Sequence, residues 1–101
     1  MVISVAVGYE LVLSGRLDAS SATEVREALH RAVDAGAGDL VVDVSGIDRV
    51  DATGLGVLLG AHRRADRAGR RVVLRDASPL LVRILRLARL HRVFALEPVT
   101  T

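Results

Sequence analysis

Residues 40–56 read LVVDVSGIDRVDATGLG, and this stretch decides the fold. Leu40-Val41-Val42-Asp43-Val44 is a nearly continuous apolar run, as expected of a central parallel strand covered by helices. Ser45-Gly46 is the predicted end of that strand. After a short loop through Ile47–Val50, Asp51 stands before an apolar pattern of helical period that extends from Thr53 to about Ala68. Leu55, Leu58, Leu59, His62 and Ala65 form its predicted inward face, and Gly69 breaks it. A strand running directly into a helix is one half of a parallel strand-helix-strand unit.

The flanks supply the rest of the unit. Arg71–Leu74 predicts the next strand, and Ser78-Pro79 opens a further helix to about Leu90, with the proline where its missing N–H costs nothing. Val93–Leu96 predicts a short last strand. On the N-terminal side, Val2–Val7 and Glu10–Ser14 form an antiparallel hairpin about Gly8-Tyr9. A helix then follows Gly15–Asp18, with Ser21 and Glu24 spaced as a capping box and Ala22, Val25, Leu29, Ala32 and Val33 on one face. Residues 1–101 thus predict one α/β domain of order ββαβαβα(β), a mixed sheet with its helices mainly on one face.

Composition removes most chemistry. The 101 residues contain no cysteine and no lysine, and the three histidines lie apart at 30, 62 and 91. Thiolate nucleophiles, cysteine-zinc sites, Walker A loops and Schiff bases are excluded, and no close histidine pair suggests a metal. His62 is expected to pack at a helix boundary, and His30 and His91 to be solvated. All fourteen basic side chains are arginine, set against twelve acidic residues for a net charge of +2. That balance, with only Tyr9 and Phe94 as aromatics, argues against nucleic-acid binding. Arg63, Arg64, Arg67, Arg70 and Arg71 close one helix, and Arg83, Arg86 and Arg89 line the exposed face of the next. No apolar run reaches the roughly 18–20 residues of a membrane span, and the N-terminus shows no basic leader, so a cytoplasmic location without membrane contact is expected.

In parallel strand-helix units the carboxyl ends of the strands share one rim. Asp18, Asp43, Asp48 and Asp51, with Arg16 and Arg49, are expected to gather there beside the helix opening at Asp51. Mixed charge on a rigid rim suits the docking of another protein. Catalysis fits poorly, because no histidine or lysine stands nearby in sequence to complete a nucleophile-base set. No cofactor and no metal are implied.

With these motifs in hand, the chain resembles the STAS domains of bacterial anti-sigma factor antagonists over essentially its whole length. The resemblance rests on SGRLDASS at 14–21, on residues 40–65, and on LRLARLHRVFAL at 85–96. It implies no enzyme but a binding protein, which docks on an anti-sigma factor of the serine-kinase type and frees a sigma factor. The implied contact residues are Asp18, Asp43, Ser45, Asp51, Ala52, Thr53, Gly54, Leu55 and Gly56, in a monomer or weak homodimer. Family members usually carry a phospho-accepting serine after the aspartate of this motif, and here that position is Ala52. The resemblance leaves three readings: an antagonist that binds constitutively, a switch moved to the hydroxyl of Thr53, or a STAS subunit of a lipid-transport or other assembly unconnected to sigma factors. A second departure is Arg89, where many members have glycine.

Overall fold

The computed structural model describes residues 1–6 and 8–97. Its elements are β1 (Val2–Ala6), β2 (Glu10–Leu17), α1 (Ala22–Ala35), β3 (Asp39–Val50), α2 (Ala52–Arg67), β4 (Arg71–Arg75), α3 (Pro79–Leu87) and β5 (Ala95–Glu97). The five strands form one sheet in sequential order, β1-β2-β3-β4-β5. Only the β1–β2 pair is antiparallel, and the others are parallel. Each parallel step therefore needs a helical crossover, and α1, α2 and α3 supply them in turn. The mixed sheet and the order ββαβαβαβ are as the sequence predicts. Val7, placed in the first strand by sequence, lies outside the described residues.

One aliphatic core holds the layers together. Leu11, Leu13 and Leu17 of β2, Leu40, Val42 and Val44 of β3, and Val72 and Leu74 of β4 point to the same side of the sheet. Val25, Leu29 and Val33 of α1, Val57, Leu58 and Ala61 of α2, and Leu81 and Leu85 of α3 meet them in a single cluster. The opposite sheet face carries Glu10, Asp39, Asp43, Arg71 and Arg75. There Arg71 pairs with Asp39 at 2.7 Å, and Arg75 bridges Glu10 at 2.6 Å and Asp43 at 3.3 Å. Charges of opposite sign on adjacent strands replace the helices that this face lacks.

Several boundaries differ from expectation for one reason: β2 and β3 continue past their predicted ends as a bulged pair. Register shifts fall between Val12 and Ser14 and between Gly15 and Arg16 of β2. Gly46 does not end β3. It lies against Ser14, where a Cβ would come within 2.6 Å of the serine Cβ, so the glycine permits close approach of the two bulged strands. The capping box is absent as well. The Ser21 hydroxyl is buried and donates to the Arg16 carbonyl at 2.8 Å, leaving no side-chain cap on α1. On α2 the buried face is rotated from prediction to Gly54, Val57, Leu58, Ala61 and Ala65. His62 stays at the boundary, edge-on to Phe94 with ring centroids 5.7 Å apart. His30 and His91 are half-buried, not solvated.

Arg70 departs furthest from its expected role as one of the cations that close α2. It is 6% exposed. Its guanidinium donates to the carbonyls of Ala32 and Val33 at 2.9 and 2.7 Å, of Gly38 at 2.9 Å, and of Gly8. A helix end leaves its last carbonyls without intrahelical donors. The five donors of one planar fork satisfy two of them and tie α1 to both neighbouring turns.

Candidate functional site

The rim is assembled by the Asp51 carboxylate. Asp51 is the N-cap of α2, with extended backbone, and its Oδ1 accepts from the Gly54 N–H at 2.8 Å. Its Oδ2 reaches across to the β2–α1 turn and accepts from the Ala19 N–H at 3.2 Å. The Asp51 N–H in turn donates to the Leu17 carbonyl at 3.3 Å. One side chain thereby fixes the start of α2 to the end of β2.

The facing turn is held equally firmly. Asp18 Oδ1 accepts from the N–H and the hydroxyl of Ser20, at 3.0 and 2.5 Å. The Ser20 hydroxyl is the main cause that holds the Asp18 carboxyl below the usual aspartate value, with Arg16 assisting from 3.9 Å. Both rim carboxylates are thus committed to neighbouring N–H or O–H donors, Asp51 to two backbone N–H groups and Asp18 to the N–H and hydroxyl of Ser20.

Between them the first turn of α2 faces solvent. Ala52 and Thr53 are exposed, as are Gly56 and the preceding Asp48 and Arg49, while Leu55 is half-buried against the core. The N–H groups of Ala52 and Thr53 stand before the first intrahelical partner, where the helix dipole favours negative charge. Gly54 has a different function. It is buried, and a Cβ there would collide with the Leu17 carbonyl oxygen, so this glycine lets the helix rest on the end of β2 and offers no surface of its own.

Asp43 and Ser45 do not join this cluster. Asp43 pairs with Val12 in mid-sheet, whereas the rim lies where Leu17 pairs with Val50. Its side chain lies on the open sheet face and accepts from the Ser45 N–H and hydroxyl at 2.9 and 2.7 Å. Burial alone would raise its pKa, but Ser45 and Arg75 outweigh burial and hold the carboxyl below the usual range. The misplacement has the same origin as the misread strand end: with β3 carried on to Val50, what looked like a terminal turn is strand interior.

Two surface features escaped sequence reasoning. The Glu10–Arg75–Asp43 network was signalled only by opposite charges at matching parity on three strands. The other is on α3, where Leu80 and Leu87 are 56% and 76% exposed. A groove beside them is lined by Ile47, Asp48, Arg49 and Val50 of β3, by Ser78, and by Leu80, Leu81 and Ile84 of α3. Among the described residues, no group of three or more histidine, aspartate or glutamate side chains is placed to hold a metal ion, and no helix is long and apolar enough to cross a membrane.

A family model described as "Mlab, STAS domain" matches residues 6–98. Among solved structures, an anti-sigma-factor antagonist (STAS) domain protein from Planctomyces limnophilus superposes with a TM-score of 0.81 at 18% identity, over 97% of this chain and 91% of the other. An anti-sigma factor antagonist from Mycobacterium paratuberculosis gives 0.77 at 25% identity, over 97% and 84%. The Bacillus cell fate determinant SpoIIAA in its phosphorylated form gives 0.72 at 20%, over 97% and 89%.

Proposed function

Because the chain belongs to the STAS domain family, we propose that it is a cytoplasmic anti-sigma factor antagonist, which binds an anti-sigma factor of the serine-kinase type and so frees a sigma factor. The observation that carries this reading is the division of labour at the rim. Asp51 uses both oxygens to lock α2 to the β2–α1 turn, and the locked turn presents Ala52 and Thr53 outward. A docking surface works best when its contact residues are already ordered, because less conformational entropy is then lost on binding. The contact set is Asp18, Asp51, Ala52, Thr53, Leu55 and Gly56. Gly54 acts beneath it, and Asp43 and Ser45 lie outside it.

The alanine at 52 gives this rim its character. A phosphoryl group carries about −1.5 to −2 charges, and beside Asp18 and Asp51 it would repel an acidic partner and remake the surface. Alanine cannot accept one. The domain is therefore a constitutive binder, controlled by its amount or by its partner; a switch moved to the exposed Thr53 hydroxyl is the alternative, and a phosphoryl group on Thr53 of the parent chain would establish it.

Affinity capture from native cytosol, followed by mass spectrometry, tests the proposal. Recovery of a kinase-type anti-sigma factor, lost in Thr53→Glu, is the expected result. With that kinase and ATP, Ala52→Ser should gain a phosphoryl group that the parent chain does not. A second reading is a STAS subunit of a lipid-transport or other assembly unconnected to sigma factors, and the matching family model, named for Mlab, is compatible with it. Recovery of transporter ATPase subunits in the same experiment would establish it and overturn the first.

A further inference from the structure

We infer that α3, with the groove between it and the end of β3, is a second docking surface, and that its occupant is an amphipathic helix with an acidic flank contributed by a partner protein. Leu80, Ile84 and Leu87 stand at i, i+4 and i+7, one stripe of the helix. Leu80 and Leu87 are among the few large apolar side chains left exposed, although α3 already buries Leu81 and Leu85 on its other side. Ile84 leads from the stripe down into the groove, whose β3 wall is Ile47, Asp48, Arg49 and Val50. An apolar stripe beside a groove floored by Ile47, Val50, Leu81 and Ile84 and edged by Asp48, Arg49 and Ser78 is a surface that a partner helix fills with side chains at the same spacing.

Charge decides what kind of helix. The sequence of α3, PLLVRILRL, contains no acidic residue, and Arg83, Arg86 and the following Arg89 are exposed. Among the described residues none of the three makes an ion pair, whereas Arg64, Arg71 and Arg75 all do. Arg83 and Arg86 flank the stripe on the side away from the groove. A second copy of this chain would set arginine against arginine there, so the surface does not suit self-association. A flat anionic bilayer would meet two leucines and leave the groove empty. An acidic amphipathic helix satisfies the leucine stripe and the α3 arginines together, and the groove, which carries both Asp48 and Arg49, does not oppose it by net charge.

This inference rests on the reading of the domain as a docking module, and it places a contact on a surface that the rim argument does not use. The surface reaches Val50, next to Asp51, so one partner can span both.

The test uses the full chain and two synthetic peptides of about four turns. Both carry leucine at i, i+3, i+4 and i+7, flanked in one by glutamate and in the other by lysine. The glutamate peptide should shift the backbone amide resonances of α3 and of Ile47–Val50, and should bind tighter than the lysine peptide by about tenfold or more. Leu80→Ser with Leu87→Ser should abolish binding with the circular dichroism spectrum unchanged, and Arg83→Glu with Arg86→Glu should invert the preference. Thr53→Glu should leave peptide binding unaltered. Equal affinities, no binding by either peptide, or shifts confined elsewhere would overturn the inference and leave the rim proposal standing, since that proposal is read from the captured partner. Leucine-dependent binding to equimolar phosphatidylcholine–phosphatidylserine vesicles would assign the surface to membranes instead, and self-association through α3 in sedimentation would assign it to a second copy.

Discussion

Arg89 occupies, at the end of α3, the backbone position that Gly69 occupies at the end of α2. At both ends the residue two past the last helical one has left-handed backbone, φ 60° for Arg89 and 70° for Gly69. At both ends the same pair of reversed hydrogen bonds closes the helix. Gly69 N–H donates to the Asp66 carbonyl at 3.1 Å and Arg70 N–H to Ala65 at 2.8 Å. Arg89 N–H donates to Arg86 at 3.0 Å and Leu90 N–H to Leu85 at 2.7 Å. This terminus favours glycine, because a Cβ makes left-handed backbone costly.

Arg89→Gly should therefore stabilise the domain. The left-handed penalty relieved is about 1 kcal/mol, partly offset by the greater freedom of glycine in the unfolded chain. A net gain of about 0.5 kcal/mol would raise the melting temperature by roughly 2–4 °C. Gly69→Ala is the converse: no atom lies within 4 Å of its new Cβ, so the loss, about 1 kcal/mol, is conformational alone. Thermal unfolding of both variants checks the pair, and a fall in stability for Arg89→Gly would mean that the arginine makes a contact worth more than the strain.

The buried arginine predicts a large effect. Arg70→Ala removes the donors of four carbonyls and leaves those of Ala32 and Val33 at a buried helix end, at a cost of about 3 kcal/mol or more. Arg70→Lys keeps the charge but has no planar fork, so it should recover less than half of the loss. Urea unfolding of the two variants distinguishes charge from geometry, because equal stability of the lysine variant and the parent would show that charge alone suffices.

Stability should fall on the acid side in two stages. Burial and the nearby Arg64 hold the His30 pKa below its ordinary 6.5, so the fold binds fewer protons there than the unfolded chain does. Its contribution is present above about pH 6.5 and is lost as pH falls through the folded value. The second stage belongs to carboxylates. Asp34 is held below 3.8 by its hydrogen bonds from Arg64, and Asp39 likewise by Arg71. Asp43 lies below 3.8 because Ser45 and Arg75 outweigh burial. These contributions persist above about pH 3.8 and vanish below the folded values. Unfolding free energy measured across this range should lose its upper stage in His30→Gln and keep the lower one.

The fold was legible because its signals are local: apolar period, turn residues and the Ser78-Pro79 helix start. Helix α2 and the turn at Asp51 came from the same source. What was not legible depends on contacts distant in sequence. Nothing near Gly46 announces that Ser14 packs against it, so the sequence alone ends β3 early and puts Asp43 on the rim. The role of Arg70 depends on carbonyls 32 to 62 residues away. The exposure of Leu80 and Leu87 depends on which side of a helix rich in leucine the core takes.

Two glycines in the motif separate folding from docking. Gly54 rests on the Leu17 carbonyl, so Gly54→Ala must push α2 off the end of β2, an overpacking cost of about 1–3 kcal/mol. Gly56 lies two residues on, exposed, with nothing within 4 Å of an added Cβ. Glycine inside a helix costs roughly 0.5–1 kcal/mol relative to alanine, so Gly56→Ala should stabilise the free domain by about that amount. If the partner approaches the backbone at this point, the same methyl group stands in its way. Gly56→Ala should then raise the melting temperature and weaken capture of the partner, whereas Gly54→Ala should lower the melting temperature. Calorimetry of both variants, paired with capture of the native partner, reads the two effects separately. A Gly56→Ala domain that is more stable and binds undiminished would move the docking surface off this turn of α2.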